Sequence, residues 1–119
     1  MKHQNGRKKL NMKSSYRKAF LRNQLIHLIT YGSLKTTKAN AREVKRFAEK
    51  LVTIARRGNN FNTRRHAQRL LPYKDAALTK LFKEIAPRYT ERPGGYTRLV
   101  PMGRRMSDLA CISRLEWVI

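Results

Sequence analysis

A chain of 119 residues with 28 Lys and Arg against 7 Asp and Glu carries a formal charge of +21. Its 40% hydrophobic content suffices for one modest core, and its single cysteine excludes an internal disulfide and a cysteine-built zinc cage. A compact body with so much like charge repels itself, so composition already points to a polyanionic partner; nucleic acid, at roughly one charge per 1.7 Å of duplex axis, is a dense one.

No run approaches the ~20 apolar residues of a membrane-spanning helix. The longest apolar-leaning stretch, Leu25 to Ile29, is interrupted by His27. The beginning of the chain is basic but lacks the apolar run and small-residue cleavage site of a secretory signal. It shares its basic, acid-poor character with mitochondrial presequences, yet residues 2–13 show no amphipathic period. The chain is expected to work in the compartment where it is made.

Residues 1–13 hold Lys2, His3, Arg7, Lys8, Lys9 and Lys13, with Leu10 and Met12 as internal apolar residues. Such a segment buries too little surface to offset its ordering entropy, and reads as an arm that orders on a partner. Residues 14–119 read as a single domain. Ser14 and Ser15 offer an N-cap for a helix to about Thr30, with Leu21, Leu25 and Leu28 at i, i+4, i+7 and Ile26 and Ile29 beside them. Arg17, Lys18 and Arg22 crowd the start of that helix, where each cation opposes the macrodipole by about 0.3–1 kcal/mol. No acidic residue precedes Glu43 to relieve them. That placement is costly for stability and suits a phosphate partner.

Gly32 ends the helix, and Ser33 to Thr36 reads as a short strand. Thr37 or Asn40 then starts a second helix, with Asn40 and Glu43 at capping-box spacing. Its apolar set is Val44, Phe47, Ala48, Leu51, Ile54 and Ala55; Arg56 and Arg57 fall in the last turn and Gly58 is the stop. Asn62 or Thr63 caps a third helix that ends before Pro72. A fourth runs from about Lys74 to Ala86 on the stripe Leu78, Leu81, Phe82 and Ile85, with Pro87 as its stop. Gly94 and Gly95 introduce a strand from Tyr96 to Met102. A turn containing Gly103 and Asp108 leads to Leu109–Val118, where Cys111, Ser113, Leu115 and Trp117 alternate with Ile112, Arg114, Glu116 and Val118. Cys111, between Ala110 and Ile112, reads as a small buried hydrophobe. The expectation is a two-layer α+β domain. About four helices pack on a small sheet made of one early short strand and a C-terminal antiparallel hairpin, preceded by the basic arm.

An enzyme needs groups that converge, and this chain disperses them. His3, His27 and His66 fall in the arm, on a leucine-rich helix and beside Arg64 and Arg65; the carboxylates are scattered from Glu43 to Glu116. There is no phosphate-binding loop with a lysine, no Gly-x-Ser-x-Gly and no His-Glu-x-x-His. The expectation is no catalysis, no metal and no cofactor. The binding signals are stronger. Ser14, Ser15, Tyr16 and Arg17 bring hydroxyls, backbone N–H groups and a guanidinium to one helix start, a suitable phosphate site. Arg88, Tyr89, Arg92, Gly94, Gly95, Tyr96 and Arg98 interleave cations, aromatics and glycines, as a stacking platform for unpaired bases would. An ordinary turn with Tyr96 in the core fits the same residues. The Leu51, Ile54, Leu78, Leu81 and Phe82 stripes and Trp117 are read as core.

The segments KKLNMKSSYRKAFLRN (Lys8 to Asn23), SLKTTKANAREVKRFAEKLVTIARRG (Ser33 to Gly58) and KLFKEIAPRYTERPGGYTRLVPMGRR (Lys80 to Arg105), with the ending LEWV, resemble the bacterial large-subunit ribosomal protein L17 family. The resemblance runs in order over nearly the whole chain; Tyr16 stands where that family typically has histidine. It implies an α+β domain with an N-terminal extension, seated on 23S-type ribosomal RNA at the solvent side, near the peptide exit and beside other large-subunit proteins. It implies neither catalysis nor a metal, no membrane and no small-molecule substrate, and a cytoplasmic or organellar ribosome as the location. By the same resemblance, Arg7 to Lys9, Lys13, Ser14, Ser15, Tyr16, Arg17, Lys18, Arg22, Asn23, Lys35, Thr36, Thr37, Lys38 and Gly94 to Arg98 face RNA. Lys2, His3, Arg64, Arg65, Arg88, Tyr89, Arg92, Arg104 and Arg105 complete the candidate set. The competing reading from charge alone is a free DNA-binding or nucleoid-associated protein.

Overall fold

The computed structural model describes residues 10–58, 60–72 and 75–118, so the arm's Lys2, His3, Arg7, Lys8 and Lys9 lie outside the described residues. Helix α1 (Ser14–Tyr31) divides into two halves. Residues 13–16 are exposed, whereas Leu25, Leu28 and Ile29 are buried, because apolar spacing begins only at Leu21. Ser14 and Ser15 do not cap the helix. They stand inside its first turn, Lys13 occupies the capping position, and no side chain accepts a capping bond. The other end follows expectation: Gly32 turns left-handed at φ 85° and its N–H donates to the Leu28 carbonyl at 2.9 Å.

Strand β1 (Ser33–Thr37) runs directly into α2 (Lys38–Ala55). Thr37 is extended at φ −65°, ψ 153°, and the helix starts at the next residue. Asn40 and Glu43 therefore lie within α2 instead of forming a capping box at its start. Val44, Ala48, Leu51, Ile54 and Ala55 are buried as their spacing predicts, with Phe47 half-buried. Each full burial of a Leu-sized side chain contributes roughly 1.5–3 kcal/mol. The helix stops at Ala55, so Arg56 and Arg57 lie beyond its last turn, and Gly58 follows with φ 110°.

Helix α3 (Phe61–Leu70) is capped by Asn60, earlier than expected: extended at φ −113°, its Oδ1 accepts the Thr63 N–H at 2.9 Å. Helix α4 (Asp75–Lys80) passes into a wide π-type turn over Leu81–Ile85 and a tight 3-10 turn over Ala86–Tyr89. The Leu78, Leu81, Phe82 and Ile85 stripe is buried. Pro87 does not end the helical path. It sits near the start of the 3-10 turn, where its missing N–H costs nothing.

Strands β2 (Thr97–Arg104) and β3 (Cys111–Trp117) form the expected hairpin, and β3 also pairs with β1. The antiparallel order β1-β3-β2 puts the last strand in the middle. Registers Leu34↔Leu115 and Leu99↔Leu115 set the face that packs on α2, with Ser113 and Trp117 alternating onto it. The opposite face carries Lys35, Arg114 and Val100 in one row and Glu116 and Arg98 in the next. Trp117 is a core anchor, its Nε1 donating to the Leu28 carbonyl at 3.3 Å. Cys111 corrects the expectation: it is exposed. At its end of β3 the hairpin runs past the helical layer, and residues 101–109 are all exposed. The outcome is the two-layer α+β domain of four helices on a three-stranded sheet.

Candidate RNA interface

The Arg88–Arg98 segment looks like a base-stacking platform in sequence, but its aromatics point inward. Tyr96 is 1% and Tyr89 2% exposed, their rings packed with centroids 5.2 Å apart. Tyr89 donates to the Val118 carbonyl, and burial pushes its phenol above the ordinary value, against the lowering effect of Arg88 and Arg92. Arg56 of the α2 end reaches Tyr96 Oη at 2.9 Å and the Thr90 carbonyl at 3.0 Å. Glu49 closes the corner: Oε2 accepts Tyr96 N–H at 3.1 Å, and Oε1 accepts Thr97 N–H at 3.1 Å and its hydroxyl at 2.8 Å. The tyrosines cannot stack on bases from this position, which corrects the expectation for both. Gly94 and Gly95 adopt φ 121° and 63°, so the turn into β2 itself requires glycine. Arg88 and Arg92 remain exposed at its rim.

Other candidates divide the same way. Arg64 is engaged internally, donating to Thr79 Oγ1 at 3.3 Å and lying 5.9 Å above the Phe82 ring, while Arg65 is exposed. Arg98 shares Glu116 with Arg114: Arg98 Nη2 is 3.0 Å from Oε1, and Arg114 Nε is 3.2 Å from Oε2 without hydrogen-bond alignment. Two cations on one carboxylate leave that sheet face net positive. On α1, Lys13, Ser14, Ser15, Tyr16 (62% exposed), Lys18 and Asn23 are open to solvent, and Arg17 and Arg22 are half-buried. No acidic residue stands in the first turn. Backbone N–H groups and cations are thus presented together, the arrangement that binds phosphate.

The fold also joins two segments far apart in sequence. Lys35, Thr36 and Thr37 meet Arg104 and Arg105 around a cleft of about 650 Å³. Lys38 is exposed at the adjoining start of α2. Asn40 belongs to this cleft and Arg114 to the neighbouring sheet face; sequence reading placed neither. The signal for Arg114 was present, since it falls in the outward set of the β3 alternation, but only the register with Lys35 shows what it adjoins. Among the described residues, no group of three His, Cys, Asp or Glu could hold a metal, and no helix is long and apolar enough to cross a membrane.

A family model described as ribosomal protein L17 matches residues 20–118. The chain belongs to the ribosomal protein L17 family. Relatives named "Large ribosomal subunit protein bL17" include that of Syntrophus aciditrophicus, 42% identical over 99% of this chain and 93% of the relative. That of Sphingopyxis alaskensis is 43% identical over 99% and 84%. That of Zymomonas mobilis subsp. mobilis is 44% identical over 99% and 83%. The L17 match thus extends across both layers of the domain, from α1 through β3.

Proposed function

We infer that this chain is a structural constituent of the large ribosomal subunit, binding 23S-type ribosomal RNA and acting in translation without catalysis. The observation that carries the reading is membership of the L17 family along nearly the whole chain, since the matched relatives are named as large-subunit proteins. The charge distribution supports it independently. The α1 start, the open sheet face and the cleft beside β1 expose cations with few carboxylates among them, as a surface embedded in phosphate requires. We place Lys13, Ser14, Ser15, Tyr16, Lys18, Lys35, Lys38, Arg98 and Arg104 at the RNA-facing surface, and the arm alongside them. RNA shape and 2′-OH contacts, not a deep-groove base code, supply specificity. Neighbouring large-subunit proteins complete the surroundings, in a cytoplasmic ribosome.

Sedimentation of a native lysate through a density gradient tests this reading. The chain is expected with the large subunit and with intact ribosomes. A peak in the free or nucleoid fraction would overturn it in favour of a DNA-associated protein.

A further inference from the structure

The cleft between β1, the start of α2 and the β2–β3 turn has three cations on its lining, Lys35, Arg104 and Arg105, and no carboxylate. Its volume of about 650 Å³ lies in the range of small-ligand sites, about 300–1,000 Å³, and exceeds what a lone phosphate needs. The remaining lining is of two kinds. Thr36, Thr37 and Asn40 supply hydroxyl and amide groups; Met102, Met106 and Ile112 supply apolar surface. Met106 is 98% exposed and Met102 43%, so neither serves the core.

Met102 lies near the end of β2, and the turn that follows and carries Met106 is held by its own hydrogen bonds. Arg105 N–H donates to the Ala110 carbonyl and Leu109 N–H to the Arg105 carbonyl, both at 2.9 Å. The Arg105 guanidinium grips Asp108 at two points, Nε to Oδ1 at 3.0 Å and Nη2 to Oδ2 at 2.8 Å. Those hydrogen bonds, with a smaller one from Ala110 N–H, hold the Asp108 carboxyl at about 2, so the pair is charged at any ordinary pH. One edge of the Arg105 guanidinium is thereby satisfied and its plane oriented.

Resting on the ribosomal-RNA reading above, we propose that this cleft receives a single unpaired nucleotide of the RNA. Its base lies against Met102, Met106 and the Arg105 plane, and its flanking phosphates lie on Lys35 and Arg104. Arg105 is offset by Asp108, but Lys35 and Arg104 have no carboxylate partner among the described residues, and those two charges favour an anionic occupant. The exposed thioethers decide that it has an apolar face, because a helical phosphate backbone gains nothing from methionine, whereas a base offers a π-surface that polarisable sulfur contacts favourably. Unpaired bases splayed from loops and bulges are the parts of RNA that proteins read by insertion. Thr36, Thr37 and Asn40 stand where a 2′-OH or a base edge would be hydrogen-bonded.

The test uses the full chain and 23S-type ribosomal RNA, with chemical probing of base and sugar reactivity. Wild-type protein is expected to protect one unpaired base. The double variant Met102→Ser with Met106→Ser, its fold checked by circular dichroism, is expected to lose that protection and roughly tenfold in affinity at an unchanged salt slope. Lys35→Ala with Arg104→Ala is expected instead to lower the log–log salt slope by between roughly one and two. Wild-type affinity in the methionine variant, with protection confined to sugar and phosphate, overturns the nucleotide cleft and leaves the ribosomal-RNA reading standing. Cross-linking of Met106, within intact subunits, to a protein instead of RNA overturns it as well. Failure of the wild-type chain to bind the RNA would defeat the underlying reading itself.

Discussion

Cations crowd two regions of this molecule, and their surroundings are opposite. In the corner over residues 88–97, Tyr89 and Tyr96 are buried, Arg56 is committed to a phenol and a carbonyl, and Glu49 is spent on two backbone N–H groups and a hydroxyl. Around β1 and the β2–β3 turn, Lys35 and Arg104 have no carboxylate partner among the described residues, and two methionines stand in the open. The first region satisfies its own chemistry and therefore builds the fold. The second leaves Lys35 and Arg104 without a carboxylate partner among the described residues, which is the condition the proposed nucleotide cleft requires. Residue types alone do not separate the two; internal partners do.

The sharpest way to break this comparison is at Glu49. Glu49→Ala strips the acceptor from two backbone donors at the start of β2, and is expected to cost about 2–3 kcal/mol, read as a lower midpoint in urea unfolding. A midpoint at the wild-type concentration would mean the corner is not structural. A smaller effect of opposite sign is expected at the α1 start. Lys18→Gln removes a cation that opposes the helix dipole, so stability should rise by about 0.3–1 kcal/mol at low salt while RNA affinity falls. Calorimetry and a binding isotherm on the same variant check it; loss of both properties together would return α1 to a purely structural role. The smallest effect is alkaline. Burial raises the Tyr89 phenol, so the unfolded chain ionises first, near pH 10. The stability associated with its protonated form is complete below that pH and is lost as pH rises towards the higher folded value. Tyr89→Phe should show a shallower decline in melting temperature above pH 10.

The elements were legible from sequence because their signals are local. Helical spacing marked the stripes of α1 and α2, period-two alternation marked β3, and Gly32 marked an end. The element starts were less legible, since β1 feeds α2 without a capping side chain and Asn60 acts a few residues ahead of the polar cluster that suggested a cap. The place of the tyrosines was undecided in the sequence for a different reason. Arg, Tyr and Gly interleave identically whether a platform faces RNA or a turn closes a core. The groups that decide the matter lie elsewhere, Glu49 being 47 residues from Tyr96 in sequence. The cleft was hidden by the same distance, since Lys35 and Arg104 come together only through strands that both pair with β3.

The place of β3 in the sheet has a consequence for the order of events in synthesis. β1 and β2 do not touch each other through hydrogen bonds; each is paired only to the strand made after both. During translation at about 5–20 residues per second, the helices can begin to pack, but β1 must wait until Leu115 exists before Leu34 has its cross-strand neighbour. Closure of that long loop is the slow, topologically distant step. The sheet is therefore closed by β3, and until then the turn bearing Arg104 and the β1 segment bearing Lys35 are separate pieces of chain.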